Sequence, residues 1–223
     1  RQQKMIAVKY IFIAIISYFL GSLNFSIILS RTLEKKDIRE SGSGNAGATN
    51  MLRTYGKHFA VLTMIGDILK VALAILIAFL ILNAPLDMIF NIADNKETAV
   101  TMILYKEFAG FFCVLGHIFP LYFNFKGGKG VAACTGMVIL VDWRIALILF
   151  VIFVITIAVS KMISLGSILI AIFYPVLIAV FYQNIILILI AVLFASIVIV
   201  AHRQNIKRIL NGTENKLSNK KNK

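Results

Sequence analysis

The sequence predicts an all-α membrane protein, a bundle of about seven transmembrane helices. Hydrophobic residues account for 60% of the 223 positions and charged residues for 15%, which is too apolar for a soluble domain. The apolar residues form long continuous runs, whereas the strands of a transmembrane barrel would alternate in segments of about ten residues. Only helices and closed barrels satisfy the backbone inside lipid, so continuous runs indicate helices.

Seven apolar runs mark the predicted spans. They are Ala7–Leu29, His58–Leu82, Tyr105–Phe123, Gly130–Val141, Ile145–Ser160, Leu165–Tyr182 and Ile185–Ala201. The first run is longer than a signal-peptide core and lacks a convincing cleavage site, so we expect it to be retained. The fourth is shorter than the roughly 20 residues that cross a bilayer, and a re-entrant segment or a half-helix is the alternative to a full span. The segment Asn83–Leu104 is expected to be an external connector.

The distribution of basic residues predicts the orientation. Of the 23 lysine and arginine residues, 16 fall on one side of the predicted membrane and 6 on the other, with Lys70 inside a span. Cytoplasmic loops carry the excess of positive charge, so the N-terminus is expected outside and the C-terminus in the cytoplasm. Topology and anionic lipid or substrate explain the net charge of +13 better than nucleic acid does. We expect one membrane domain, residues 1–210, and a basic tail, residues 211–223.

The sequence predicts neither a metal site nor a cofactor. Cys113 and Cys134 lie in apolar runs without CxxC spacing, which argues against a cysteine metal site and a disulfide framework. No HExxH pattern and no pair of carboxylates facing a site occurs. None of the three histidines has an aspartate five positions later, which argues against the histidine–aspartate acyltransferases.

The glycine loop, Phe125–Gly130, is the first polar cluster with chemical potential. Three glycines and two lysines follow an aromatic run there. Successive free backbone N–H groups beside a lysine form an anion site, and Lys126 and Lys129 each offer phosphate a point charge. The alternative is an ordinary cytoplasmic loop that topology makes basic. The loop is not a Walker A motif, because Gly130 rather than serine or threonine follows Lys129.

The serine loop, Ser41–Asn50, is the second cluster, with the sequence SGSGNAGATN. Its small residues can place N–H and hydroxyl groups around phosphate oxygens, and the nearby Arg53 can add a bidentate pair of hydrogen bonds. The alternative is a flexible linker, for which glycine and serine are typical. Asparagine and arginine are not typical of spacers, so the composition favours binding.

The third cluster begins where the last apolar run ends. His202 and Asn205 stand at positions i and i+3, so they share one face if the helix continues. Histidine transfers protons near neutral pH, which makes His202 the candidate base. The alternative is a basic segment that anchors the helix at lipid headgroups. All three clusters fall on the predicted cytoplasmic side.

Polar residues inside the apolar runs have two interpretations each. Asp67 and Lys70 lie three positions apart on one helical face, where they either serve a function or neutralise each other. His117 is expected to make a structural hydrogen bond. Ser164 and Ser167 either cap the sixth helix or hold an anion. Small and polar residues in the first run either line a cavity or permit close helix packing, namely Gly21, Ser22, Asn24 and Ser26.

Taken in order, the clusters resemble the motifs of the membrane acyl-phosphate:glycerol-3-phosphate acyltransferases, the PlsY family. The first motif is similar to SGNAGATN, Ser43–Asn50, with LRTYGK, Leu52–Lys57. The second is similar to GHIFPLYFNFKGGKGVA, Gly116–Ala132, and the third to HRQNIKRILNGTENK, His202–Lys216. Three residues depart from the threonine, proline and basic residue common in the family, and these are Ala133, Asn24 and Ala201.

The resemblance implies transfer of a fatty acyl group from acyl-phosphate to the 1-hydroxyl of glycerol-3-phosphate, giving lysophosphatidic acid and phosphate. It implies a bacterial plasma-membrane enzyme with a cytoplasmic site, surrounded by membrane lipid, in phospholipid synthesis. Neither coenzyme A nor acyl carrier protein would be the direct donor. The competing class is a transporter or channel for an organic or inorganic phosphate. Few ionisable residues lie at mid-depth to form its path, which disfavours that class.

The resemblance also implies individual roles. His202, Asn205 and Lys129 are predicted to be catalytic, with either His202 or the substrate's own phosphate as the base. The predicted substrate-binding residues are Ser43, Gly44, Asn45, Gly47, Thr49, Asn50, Arg53, Lys126, Gly127, Gly128, Gly130 and Ser167. The three glycines among Gly127–Gly130 are expected to bind phosphate through their backbone N–H groups.

Overall fold

The structure, a computed structural model, describes residues 2–217, which form ten α-helices and three short 3-10 helices without a β-strand. This confirms the all-α prediction. The α-helices are α1 Gln2–Ser22, α2 Phe25–Leu33, α3 Ala48–Thr54, α4 Lys57–Leu82, α5 Lys96–Ile118, α6 Val131–Val141, α7 Trp143–Ser160, α8 Ile163–Tyr182, α9 Ile185–Ala201 and α10 Arg203–Leu210. The 3-10 helices are Ile38–Glu40, Leu86–Ile89 and Leu121–Phe123.

Five segments of the described chain are long and apolar enough to cross a membrane. They are Gln3–Leu33, Lys57–Leu82, Lys96–Phe123, Trp143–Ser160 and Ile163–Tyr182. Helices α9 and α10 add a sixth if they are counted as one span, although they meet at an angle of 63°. Helix α6 has 11 residues, about 16 Å of helix against a hydrocarbon core of about 30 Å. The count of seven full spans therefore stays a prediction.

The described residues divide into two compact units, the first ending at Asp142 and the second beginning at Trp143. In the first unit, α4 packs against α1, α2, α3, α5 and α6 and is the central helix. In the second unit, α8 packs against α7 and α9. The predicted division into residues 1–210 and 211–223 stays a prediction, and residues 218–223 of the predicted tail lie outside the described residues.

The first predicted span is interrupted between α1 and α2. The Asn24 side chain causes the restart, because its Oδ1 accepts hydrogen bonds from the Ile27 N–H at 3.3 Å and from the Ser26 hydroxyl at 2.7 Å. Asn24 and Ser26 are fully buried. These polar residues cap a helix inside the protein. Of the two interpretations, a cavity lining or close helix packing, the geometry favours close packing.

Helices α1 and α5 cross with their backbones in contact. A Cβ atom on Gly21 would collide with the Cys113 carbonyl, and one on Gly116 would collide with the Tyr18 carbonyl. Nearby, the Ser22 hydroxyl accepts the Leu121 N–H at 3.2 Å, and so ties α1 to the segment before the glycine loop. Small residues in this region thus bring α1 within backbone contact of α5.

The third span, Lys96–Phe123, ends at the predicted residue but starts earlier than predicted. Helix α5 begins at Lys96, nine residues before the predicted Tyr105, because the Asn95 side chain caps it by accepting the N–H groups of Glu97 and Thr98. The expected connector Asn83–Leu104 is therefore helical from Lys96 onward. At its other end α5 stops at Ile118, and Leu121–Phe123 is a separate 3-10 turn.

Candidate active site

The serine loop is a folded structure rather than a flexible linker. Ile27, Ile38, Ala46 and Met51 are fully buried beneath it and form a small core of their own. Partly buried apolar residues, including Phe123 from the segment before the glycine loop, pack against this core. The linker interpretation of the serine loop is therefore wrong.

Asn50 holds the serine loop together. Its Oδ1 accepts the Ser43 N–H at 2.9 Å, and its Nδ2 donates to the carbonyls of Ser41 at 2.9 Å and Ile38 at 3.1 Å. The side chain is buried and both of its polar atoms are bonded within the loop. In this structure Asn50 positions the Ser43 backbone, and its predicted substrate-binding role stays a prediction.

Arg39 joins the segment before the serine loop to the glycine loop. Its Nη1 donates to the carbonyls of Phe123 at 2.9 Å and Lys126 at 3.0 Å, while its Nε and Nη2 donate to the Asp37 carboxylate at 3.0 and 2.8 Å. The Arg39 guanidinium holds the pKa of the Asp37 carboxyl well below its ordinary value. Sequence reasoning missed Arg39 because its carbonyl partners lie more than 80 residues away.

The glycine loop uses two of its amides to fold back on α5. The Gly127 N–H donates to the Ile118 carbonyl at 3.1 Å, and the Gly128 N–H donates to the His117 carbonyl at 3.2 Å. These two N–H groups are therefore occupied in this structure, and the expectation that they bind phosphate stays a prediction. Gly130 differs, because it has φ +81 and starts α6 at a helix N-terminus, where N–H groups lack intrahelical acceptors.

Gly128 is the point at which the serine and glycine loops touch. A Cβ atom there would collide with the Ala46 carbonyl of the serine loop and with Nε2 of His117. Only glycine leaves room for this approach. The two clusters that the sequence predicts separately are thus brought together in the first unit.

Several predicted binding residues of the first unit face outward. Ser43, Gly44, Arg53 and Lys126 are exposed. The half-buried residues are Asn45, Gly47, Thr49, Gly127 and Lys129, while Gly130 is buried. Cations beside a helix N-terminus and glycine-rich backbone are chemically suited to an anion.

Three buried polar residues lie behind the glycine loop. The Lys70 Nζ is 2.8 Å from Asp67 Oδ1 and 2.9 Å from His117 Nδ1, and the Asp67 Oδ1 is 3.3 Å from His117 Nδ1. The side chains of Asp67, Lys70 and His117 are 1%, 2% and 3% exposed, so all three are enclosed in this structure. His117 makes the hydrogen bonds expected of it, with partners that its sequence position does not reveal.

Glu214 organises the third cluster in the second unit. Its Oε1 accepts hydrogen bonds from the Ser164 hydroxyl at 2.9 Å and from Asn205 Nδ2 at 2.8 Å, and its Oε2 accepts from Arg208 Nε at 2.8 Å. Burial raises the pKa of the Glu214 carboxyl, but the bonds from Asn205, Arg208 and Ser164 together lower it below its ordinary value. Ser164 thus bonds a carboxylate, which neither interpretation of this residue anticipated.

His202 stands at the bend between α9 and α10 and is 2% exposed. Its Nδ1 is 2.8 Å from the Val198 carbonyl, which can only accept a hydrogen bond. The Nδ1 therefore carries the proton, and in the neutral ring Nε2 has the lone pair that a base requires.

The remaining predicted residues of the second unit are also buried. Asn205 is 4% exposed, and it is positioned by the Glu214 carboxylate through Nδ2. Ser167 is 2% exposed and donates its hydroxyl proton to the Ile163 carbonyl at 3.0 Å. A phosphate needs donors, so the Ser167 hydroxyl has to rotate before it can bind one.

The fold and these clusters define a class of protein, the multi-pass helical membrane proteins with basic, glycine-rich loops. Within this class, the profile described as "Glycerol-3-phosphate acyltransferase" matches residues 11–212. The chain belongs to the glycerol-3-phosphate acyltransferase family.

Curated relatives agree with this assignment. The glycerol-3-phosphate acyltransferase of Mycoplasmopsis agalactiae is 40% identical over 91% of this chain and 91% of its own length. The glycerol-3-phosphate acyltransferase 2 of Bacillus anthracis is also 40% identical, over 91% of this chain and 96% of its own.

Solved structures show the same fold. The glycerol 3-phosphate form of PlsY (YgiH), described as an integral membrane glycerol 3-phosphate acyltransferase, is similar with a TM-score of 0.78 and 32% identity, covering 94% of this chain and 96% of that one. Its lysophosphatidic acid form has a TM-score of 0.75 at 32% identity.

Proposed function

We propose that the protein transfers a fatty acyl group to the 1-hydroxyl of glycerol-3-phosphate and so forms lysophosphatidic acid. The observation that carries this proposal is the contact of the serine and glycine loops at Gly128, in a chain of the glycerol-3-phosphate acyltransferase family. Two loops rich in exposed donors and cations, held together by Arg39, suit a substrate that carries phosphate.

In the first unit, the proposed phosphate-binding groups are the Ser43 hydroxyl, the Arg53 guanidinium, the Lys126 and Lys129 ammonium groups and the N–H at Gly130. Arg53 and Lys126 are exposed and can reach an anion without leaving a buried partner. Holding both reactants in line would supply much of the rate through proximity and charge stabilisation.

In the second unit, His202 is the proposed base and Asn205 the proposed orienting residue for the hydroxyl. The glycerol 1-hydroxyl oxygen would attack the acyl carbonyl carbon, the bond from that carbon to phosphate would break, and the hydroxyl proton would pass to His202 Nε2. The tautomer set by Val198 supports this assignment. The substrate's phosphate is the alternative proton acceptor.

The proposed donor is acyl-phosphate rather than coenzyme A or acyl carrier protein. Acyl-phosphate is already activated and brings a phosphate of its own, which suits a site made of cations and glycine amides. An acyl chain would also find apolar span surface in this fold. We further propose seven spans with α6 as the short one, the N-terminus outside, and a cytoplasmic site, because 16 of the 23 basic residues lie on that predicted side.

Purified protein given palmitoyl-phosphate and glycerol-3-phosphate tests the proposal directly. We expect phosphate release that requires both substrates, lysophosphatidic acid formed alongside, and no product when palmitoyl-coenzyme A replaces palmitoyl-phosphate. The variant Lys129→Ala should lose activity, while Lys96→Ala, at the exposed start of α5, serves as the matched control. Release from folded wild-type protein that did not need glycerol-3-phosphate would contradict the transfer reaction.

A transporter of phosphate compounds is the competing function. Its test is uptake of radiolabelled glycerol-3-phosphate into liposomes that contain the purified protein. Uptake without lysophosphatidic acid formation would favour transport, whereas product formation without uptake favours the transferase.

A further inference from the structure

The buried triad Asp67, Lys70 and His117 has no part in the proposed chemistry, yet it lies directly behind the glycine loop. We propose that this triad positions the glycine loop, so that Lys129 and Gly130 are presented to phosphate in one fixed arrangement. The effect on rate rests on the proposed function, whereas the effect on loop geometry does not.

The Lys70 ammonium group connects the end of α1, the break after it and the end of α5. Its Nζ donates to the Gly21 carbonyl at 3.0 Å and the Leu23 carbonyl at 2.9 Å, and it lies 2.9 Å from His117 Nδ1. Asp67 Oδ1, at 2.8 Å, forms an ion pair with the same ammonium group. Lys70 therefore ties the break between α1 and α2 to the end of α5.

His117 transmits this arrangement to the glycine loop. The ring Nδ1 lies 2.9 Å from Lys70 Nζ and 3.3 Å from Asp67 Oδ1, and the ring Nε2 lies against Gly128. The His117 carbonyl also accepts the Gly128 N–H at 3.2 Å. The His117 ring and the Ala46 carbonyl both occupy the space where a Gly128 side chain would begin, so Gly128 packs against both. If the His117 ring rotated, Gly128 of the glycine loop would lose its contact with the ring.

Stability alone is a poor explanation for the triad. A buried ion pair is often no more stabilising than apolar residues of the same volume, and ionisable residues within spans are costly. The triad side chains are at most 3% exposed, and they contact the backbone at the break between α1 and α2 and the glycine loop. A role through the loop accounts for their position, their burial and these contacts together.

The test compares wild type with the charge-neutral double variant Asp67→Asn/Lys70→Met, which leaves no unpaired buried charge. Amide hydrogen exchange of the peptide spanning residues 123–131 is the first readout, because it reports the bonds from Gly127 and Gly128 without requiring activity. We expect exchange in this peptide to accelerate about tenfold or more. The variant Lys106→Met is the matched control, since it removes a buried lysine of α5 that lies near Asn91 and Val141 rather than beside the glycine loop, and its exchange there should match wild type.

Kinetics with palmitoyl-phosphate is the second readout. We expect the KM for glycerol-3-phosphate to rise about tenfold or more in the double variant, because a displaced loop weakens phosphate binding, with the thermal midpoint held within about 3 °C. Wild-type exchange at residues 123–131 together with a wild-type KM would overturn the positioning role, as would changes no larger than those of Lys106→Met.

A second variant covers the case in which the double variant does not fold. His117→Phe keeps a ring beside Gly128 but removes both ring nitrogens, so it breaks the contacts of His117 with Lys70 and Asp67. Faster exchange at residues 123–131 supports the proposal, and unchanged exchange overturns it. If wild-type protein makes no lysophosphatidic acid, the proposed function fails, and hydrogen exchange still decides the positioning role.

Discussion

The two units hold their polar residues in different ways. In the first unit, the glycine loop is fixed by backbone atoms, with Gly127 and Gly128 bonded to α5 and the Arg39 guanidinium bound to two carbonyls. In the second unit, the third cluster is fixed by side chains, because Ser164, Asn205 and Arg208 all converge on one carboxylate, Glu214.

This difference indicates which substitutions would disrupt each unit. A backbone-held loop tolerates most side-chain changes and fails when a glycine gains a Cβ or a positioning residue is lost. A side-chain cluster fails when its shared acceptor is removed. Three substitutions test this comparison, in decreasing order of expected effect. The first changes turnover, the second changes the stability of the third cluster, and the third changes the stability of the segment before the serine loop.

His202→Gln carries the largest expected effect. Glutamine can keep a hydrogen bond in this region but cannot act as a base, so turnover should fall by about 10²-fold or more while glycerol-3-phosphate binding changes little. Turnover with palmitoyl-phosphate and isothermal titration with glycerol-3-phosphate measure the two quantities. His58→Gln at the exposed start of α4 is the control. Near-normal turnover would assign the proton to the substrate phosphate instead.

Glu214→Ala should destabilise the second unit. The variant leaves the buried Ser164 and Asn205 donors without their acceptor, at a cost of about 1–3 kcal/mol for each unsatisfied group. Glu214→Gln keeps an acceptor oxygen and should lose less. Thermal unfolding in detergent measures both, with the exposed Glu34→Ala as control. Equal midpoints for Glu214→Ala and wild type would show that the cluster does not depend on its carboxylate.

Asp37→Asn should change the pH dependence of stability. The folded-state pKa of Asp37 is lowered by Arg39, so its contribution is present above the unfolded pKa of about 4 and is lost as pH falls below that value. Thermal midpoints between pH 6 and pH 3 should therefore decrease more in wild type than in Asp37→Asn. Glu214 acts in the same direction, so the difference between the two proteins isolates Asp37. Parallel curves would exclude this contribution.

The sequence predicts helices well where the signals are local. Helix α9 spans Ile185–Ala201 as predicted, because an uninterrupted apolar run follows a capping Asn184. The start of α5 was misjudged because charged residues at Lys106 and Glu107 resemble a boundary, although both are buried. The local signal for the start of α5 is the capping residue Asn95 followed by the acidic Glu97 in the first helical turn.

The candidate site is predictable in composition but not in its internal bonds. The clustered glycines and lysines locate the glycine loop, since a stretch of such residues is visible without any partner. The bonds from Gly127 and Gly128 to α5, and those from Arg39 to the glycine loop, join distant parts of the chain. Asn50 has the side chain of a ligand-binding residue, and only the fold shows that its two polar atoms are already occupied.

The crossing of α1 and α5 has a consequence for biogenesis. Gly21 meets its α5 partner only after roughly 95 further residues have been synthesised, which takes on the order of ten seconds at about 5–20 residues per second. During that interval the buried Ser22, whose backbone lies against Gly116 in the finished fold, has no α5 to cover it. We expect the insertion machinery or lipid headgroups to cover this part of α1 until α5 has been synthesised.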